Sequence, residues 1–142
     1  MATAETSSRT LRLRIITREQ VLLDTEVVSV RLPGAGGYFG VLPRHAPMVA
    51  LTASGLLKAR GRNGEERSYV IHDGFAEVGR DAVTVLTRSA EAPAEIDLER
   101  ARRAAERARE RLHSREADVD LARATAALER ALARELYAHR PL

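Results

Sequence analysis

The sequence predicts an α+β chain: an N-terminal antiparallel β-sandwich over residues 1–90, followed by a C-terminal antiparallel two-helix hairpin over residues 91–142. Two observations carry the prediction. Before residue 90 the chain consists of short β-branched stretches in which apolar and polar residues alternate, with turn signals between them. After EAPAE (91–95) the apolar period changes to about 3.6 residues, and alanine, arginine, leucine and glutamate dominate.

The opening MATAETSSRT has no basic start followed by an apolar core, so it reads as a short loose tail and not a secretory signal. LRLRIIT (11–17) sets Leu11, Leu13 and Ile15 against Arg12, Arg14 and Ile16. EVVSVRL (26–32) sets Val28, Val30 and Leu32 against Val27, Ser29 and Arg31. SYVIHDGFAEVG (68–79) and AVTVLTR (82–88) are further strand stretches. Turn signals fall at PGAGG (33–37), ASG (53–55), RNGEE (62–66) and VGRDA (78–82). Asn63-Gly64, between GLLKARG and ERSYVI, predicts a tight hairpin. Many short strands without a long helical pattern indicate a sandwich or barrel.

The first helix is EIDLERARRAAERARERL (95–112), with Asp97 at the cap position and Leu98, Ala101, Ala105, Ala108 and Leu112 on one face. HSREADVD (113–120) interrupts the run and offers Ser114, Asp118 and Asp120 as caps. The second helix, about 120–138, presents Leu121, Ala124, Thr125, Leu128, Leu132 and Leu136 as its apolar face. The mating faces are largely alanine. Alanine favours helix and lets two helices approach closely, but each buried methyl contributes only about 0.8 kcal/mol, against roughly 1.5–3 for a leucine. A hairpin built this way holds its helices and anchors weakly to anything else.

Arginine placement is the feature that physics disfavours. Arg100, Arg103, Arg107 and Arg111 form one line on the first helix, although like charges at this spacing cost roughly 0.2–0.5 kcal/mol per pair. Arg123, Arg130 and Arg134 share the face of the second helix opposite the leucines. A solvated face with salt bridges to Glu129 or Glu135 is the plainer reading. Arginines in line with no acid at the same azimuth also suit an anion, because the guanidinium fork matches phosphate or carboxylate oxygens.

Composition excludes several classes. There is no cysteine, hence no disulfide, thiolate nucleophile or zinc-thiolate site. The net charge is +3, with Lys58 the single lysine, and aromatics make up 4%, a poor basis for nucleic-acid binding. No apolar run reaches the length of a membrane span. His45 has no nucleophile or second ligand grouped with it in the sequence. PGAGGYFG lacks the Gly-Lys-Ser/Thr ending of a phosphate loop. An arginine-rich nucleic-acid binder and a static helical scaffold are the competing classes, and an enzyme is the least supported.

Three stretches carry a resemblance: GYFGVLPRHAPMV (37–49), VIHDGFAEV (70–78) and IDLERA (96–101). In this order and spacing the chain resembles, over essentially its whole length, the epsilon subunit of the bacterial F-type ATP synthase. The resemblance implies a central-stalk subunit of a rotary proton-translocating enzyme that catalyses nothing itself. The β-sandwich docks on the gamma subunit and the c-ring. The hairpin folds back, or extends into the alpha/beta catalytic head and blocks ATP hydrolysis. No cofactor is required, and ATP is expected as a regulatory ligand. The subunit would be a monomer within the complex, peripheral to the cytoplasmic face of the bacterial plasma membrane, with no nucleic-acid partner.

The resemblance also implies sites. IDLERA fits the pattern by which bacterial members bind ATP, which carries over Ile96, Asp97, Arg100 and Ala101, with Glu91 as a preceding acid and Arg123, Arg130 and Arg134 for the phosphates. Asp97 is compatible with a plain helix cap, worth about 1 kcal/mol. Tyr38, Arg44 and His45 fall in the loop expected to contact partners, and Arg103, Arg107 and Arg111 are expected to meet acidic surface of the head. Two residues depart from the pattern: many members have glycine at the position of Arg44, and some have an acid at the position of Tyr38.

Overall fold

The computed structural model describes residues 9–114, 116 and 118–138. The proposed N-terminal tail falls almost wholly outside them. The chain divides into two compact units between Ala90 and Glu91.

The first unit is built from nine strands: β1 (Leu11–Ile16), β2 (Val21–Val27), β3 (Ser29–Gly34), β4 (Gly37–Val41), β5 (Met48–Thr52), β6 (Gly55–Arg60), β7 (Glu66–Ile71), β8 (Gly74–Val78) and β9 (Ala82–Thr87). A two-residue strand, β10 (Ala90–Glu91), stands at the boundary. The strands pair in the order β7-β6-β3-β5-β8-β9-β1-β2, with β4 added on β3. Pairing is antiparallel except between β1 and β9, which run parallel.

Alternation along the strands builds the core, because successive side chains point to opposite faces. Leu11, Leu13 and Ile15 of β1 are buried, while Arg12 and Arg14 are exposed beside Asp24 on β2. The hydrogen bond to Asp24, and then its charge, raise the Arg12 pKa further above any physiological range. Val30 and Leu32 (β3), Val41 (β4), Leu57 (β6), Ile71 (β7), Val78 (β8), and Val83 and Val85 (β9) complete the cluster. Each such aliphatic side chain contributes roughly 1.5–3 kcal/mol on burial. The hairpin expected at Asn63-Gly64 joins β6 to β7, and Gly64 takes a φ of +84° that an L side chain would resist.

Two predicted strands are corrected. EVVSVRL is not one strand: β2 ends at Val27 and β3 begins at Ser29, and Val27 is buried at 1% exposure while Val28 is only partly covered. SYVIHDGFAEVG is likewise two strands, β7 and β8, broken at His72-Asp73. Hydrogen bonds stabilise this break. Thr52 Oγ1 donates to the His72 carbonyl, the His72 N–H donates to Thr87 Oγ1, and Ser54 Oγ lies 2.9 Å from His72 Nδ1. The buried backbone at the turn is therefore satisfied by side chains in place of a continuing ladder.

The second unit holds a single 3-10 turn at Pro93–Glu95 and two helices, α1 (Leu98–His113) and α2 (Leu121–Tyr137), which pack on each other. Ala101, Ala105 and Ala108 of α1 are buried, as are Ala124, Ala131 and Ala133 of α2. The apolar face predicted for the second helix is corrected in part. Ala124 is buried and Leu128 half-buried, whereas Leu121, Leu132 and Leu136 are 54%, 38% and 53% exposed.

Candidate functional site

On the second unit the site is built from the helix ends. Asp97 caps α1: its carboxylate accepts the Arg100 N–H at 3.1 Å, while Asp120 caps α2 by accepting the Arg123 N–H at 3.0 Å. Each cap satisfies a backbone donor that the helix leaves unpaired. Ile96 is 2% exposed and Ala101 3% exposed, so both are wall residues rather than surface. The Arg100 side chain is exposed.

Glu91 and Arg134, distant in sequence, come together. Glu91 Oε1 accepts a hydrogen bond from Arg134 Nε at 2.6 Å, with side chains 30% and 27% exposed. Arg134 is therefore not an uncompensated member of the second-helix stripe, and its acid partner is Glu91 in place of the nearby Glu135. Arg130, one turn earlier, is partly buried.

The remaining arginines gather elsewhere. Arg107, Arg111 and Arg123 line a cavity of about 630 Å³ at the turn between the helices, together with Glu110, Asp118 and Asp120. Arg123 and Arg134 lie eleven residues apart, about 16 Å along the helix axis. The arginine face thus divides into a group at the turn and a group at the opposite end of the hairpin, where Glu91 also lies. Arg103 is exposed on α1 and belongs to neither group.

The partner-contact residues of the first unit are laid out as follows. Tyr38 is 43% exposed, its hydroxyl accepts the Leu56 N–H at 2.9 Å, and its ring lies 4.8 Å below the Arg31 guanidinium carbon. Arg44 is exposed, with a φ of +70°, and its N–H donates to the Arg80 carbonyl at 2.8 Å. His45 Nδ1 lies 2.7 Å from the Ala46 carbonyl oxygen. Among the described residues no grouping of three or more His, Asp or Glu could hold a metal ion.

One candidate surface escaped the sequence reading. Val49 and Leu51 on β5 are 70% and 65% exposed, and Phe75 on β8, directly opposite Leu51, is 47% exposed. A contiguous outward apolar patch of this kind marks an interaction surface. The signal was present in MVALT, where Val49 and Leu51 occupy the outward positions of a strand whose inward end is the buried Thr52.

Comparison with known proteins follows this division. The family model of the ATP synthase delta/epsilon chain β-sandwich domain matches residues 10–93, and that of the delta/epsilon chain long α-helix domain matches residues 94–134. The chain is 47% identical over 105 residues to the ATP synthase epsilon chain of Moorella thermoacetica, covering 74% of this chain and 78% of that one. It is 40% identical over 109 residues to the ATP synthase epsilon chain of Alkalihalophilus pseudofirmus, covering 77% and 81%. Among solved structures it is similar to a chain of the Euglena gracilis mitochondrial ATP synthase assembly of OSCP, F1 and c-ring, with a TM-score of 0.79, 29% identity, and 89% and 80% of the two chains covered.

Proposed function

The chain belongs to the delta/epsilon family of ATP synthase subunits, and from that premise we propose how its two units divide the work of an epsilon subunit in the central stalk. The first unit is the docking body. Its outward patch of Val49, Leu51 and Phe75 is the apolar surface that would seat on gamma, and Tyr38 on β4 with Arg44 and His45 in the loop after it would meet the c-ring. The second unit is the regulator. It inhibits ATP hydrolysis by engaging the alpha/beta head, and it responds to ATP. The subunit itself carries out no chemistry and sits on the cytoplasmic face of the bacterial membrane through the complex. No helix among the described residues is long and apolar enough to cross a membrane.

The observation that supports the regulatory reading is the row of exposed leucines on α2. Alanines hold the helices together, while Leu121, Leu132 and Leu136 remain exposed and available to another surface. ATP fits the end of the hairpin where Arg134 lies. The exposed Asp97 carboxylate at the α1 cap would meet the base, and Arg130 and Arg134 would turn toward the phosphates, Arg134 exchanging its Glu91 partner for them. Calorimetric titration of ATP into the full-length chain tests this part. Arg130→Ala or Arg134→Ala should weaken binding about tenfold or more, the equivalent of roughly 1.5–3 kcal/mol for a charge-assisted contact, with helical content unchanged. If wild type gives no heat at millimolar ATP, the arginines serve partner subunits alone. Docking is tested separately, by whether the full-length chain co-purifies with gamma and the c-ring when added to a complex that lacks it.

A further inference from the structure

We propose that a cleft on the first unit, framed by Arg31, Lys58, Tyr38 and Leu42, binds an acidic segment of a partner protein through one or two carboxylates. The inference deepens the docking role above and rests on it.

Strands β4, β3, β6 and β7 set Gly40, Arg31, Lys58 and Ser68 side by side in one row. Directly opposed cross-strand residues hold their Cβ atoms about 4.5–5.5 Å apart, and like charges in that position destabilise the pair. Arg31 and Lys58 occupy such a position, both are exposed, and neither pairs with a carboxylate among the described residues. Lys58 is also the only lysine in the chain. Arg31 and Lys58 together present two positive charges that an anion from outside would offset.

The cleft is also shaped for one. It measures about 540 Å³, and Gly40, having no side chain, leaves its floor open next to Arg31. Tyr38 is fixed at both ends, by the hydrogen bond from Leu56 N–H and by the guanidinium of Arg31 over its ring. A Cβ at position 55 would lie 2.6 Å from the Tyr38 hydroxyl and 2.7 Å from Pro33, so Gly55 is what lets the tyrosine reach this position. The ring in turn holds the Arg31 fork in one orientation, and a pre-organised guanidinium loses less freedom on receiving a carboxylate.

The other contacts select the class of anion. Leu42 lines the cleft and is 64% exposed, so the bound group has an apolar neighbour as well as a charge. Glu66 lies at the rim, 3.4 Å from Arg60, and neutralises that third cation. What remains is a charge of about two, from Arg31 and Lys58, beside apolar walls. That suits an acidic residue flanked by apolar ones on a polypeptide, and it disfavours a free phosphate dianion or an anionic membrane surface, neither of which uses the walls.

The test titrates the full-length, 15N-labelled chain with the capped tetrapeptide Leu-Glu-Glu-Leu, its Leu-Gln-Gln-Leu counterpart, inorganic phosphate, and phosphatidylglycerol vesicles. The glutamate peptide should shift the amides of Arg31, Gly40, Leu42 and Lys58. Its affinity should exceed that of the glutamine peptide at least fivefold, and R31Q/K58Q should lose the difference. Equal shifts from both peptides, or these shifts arising from phosphate or vesicles alone, would overturn the inference. The wild-type peptide comparison decides the matter even if the double variant folds poorly. In the assembled complex, R31Q/K58Q should dissociate at lower salt than wild type, and Arg67→Gln on β7 should not. Equal salt tolerance of R31Q/K58Q overturns the inference and leaves the docking role intact. Failure of the wild-type chain to join the complex overturns the docking role instead.

Discussion

Arg44 holds a left-handed backbone conformation, φ +70°, that costs a residue with a Cβ roughly 1–2 kcal/mol. The loop between β4 and β5 turns there through a conformation that glycine occupies without strain. Arg44→Gly should therefore leave stability unchanged or raise it by up to about 1 kcal/mol, the relief being partly offset by the greater freedom of the unfolded chain. Arg44→Val should lower stability by about 1–2 kcal/mol, since a β-branched residue tolerates positive φ least. Urea unfolding of both variants measures this, and a Gly variant less stable than Val would contradict it. Single residues were legible where the interaction was local. Asp97 as a cap follows from the sequence because its partner is three residues away. The Glu91–Arg134 pair spans 43 residues and needed the folded hairpin to become visible.

Elements were legible in their type and less so in their phase. Helix period and cap positions located α1 and α2 closely, and the largely alanine character of the mating faces was legible, but the azimuth on α2 was not fully so: Ala124 is buried as expected while Leu121, Leu132 and Leu136 of the same predicted face are exposed. Ala105 of α1 is fully buried, at 0% exposure. Ala105→Leu should overpack the seam and lower stability by about 1–3 kcal/mol; urea unfolding followed by circular dichroism checks it, and an unchanged midpoint would show a looser interface than described. Replacing Leu121, Leu132 and Leu136 together with Gln should have the opposite profile. Stability of the free chain should change by less than about 0.5 kcal/mol per site, as for exposed positions, while inhibition of hydrolysis in the complex weakens severalfold. Among the strands, β2 was missed because VLLDTEV buries only Val27 fully, so its apolar alternation is weak.

At the scale of the whole molecule, the composition changes near residue 90, the chain divides into two units between Ala90 and Glu91, and the two matched family models meet three residues later at 93–94. The first unit carries its own core, with all fourteen residues of the buried cluster lying between Leu11 and Val85. The second buries mainly alanine and leaves Leu121, Leu132 and Leu136 exposed. The proposed division of labour rests on the first unit having this core of its own. The outward patch and the basic cleft were not legible, because exposure on a sheet depends on which strands become neighbours. The most direct measurement compares ATP hydrolysis by the complex reconstituted with the full-length chain and with a chain ending at Ala90, across a range of ATP concentrations. The account predicts that the shortened chain co-purifies with the complex and that hydrolysis rises severalfold, most at low ATP. Incorporation of the shortened chain with hydrolysis unchanged at every ATP concentration would contradict it.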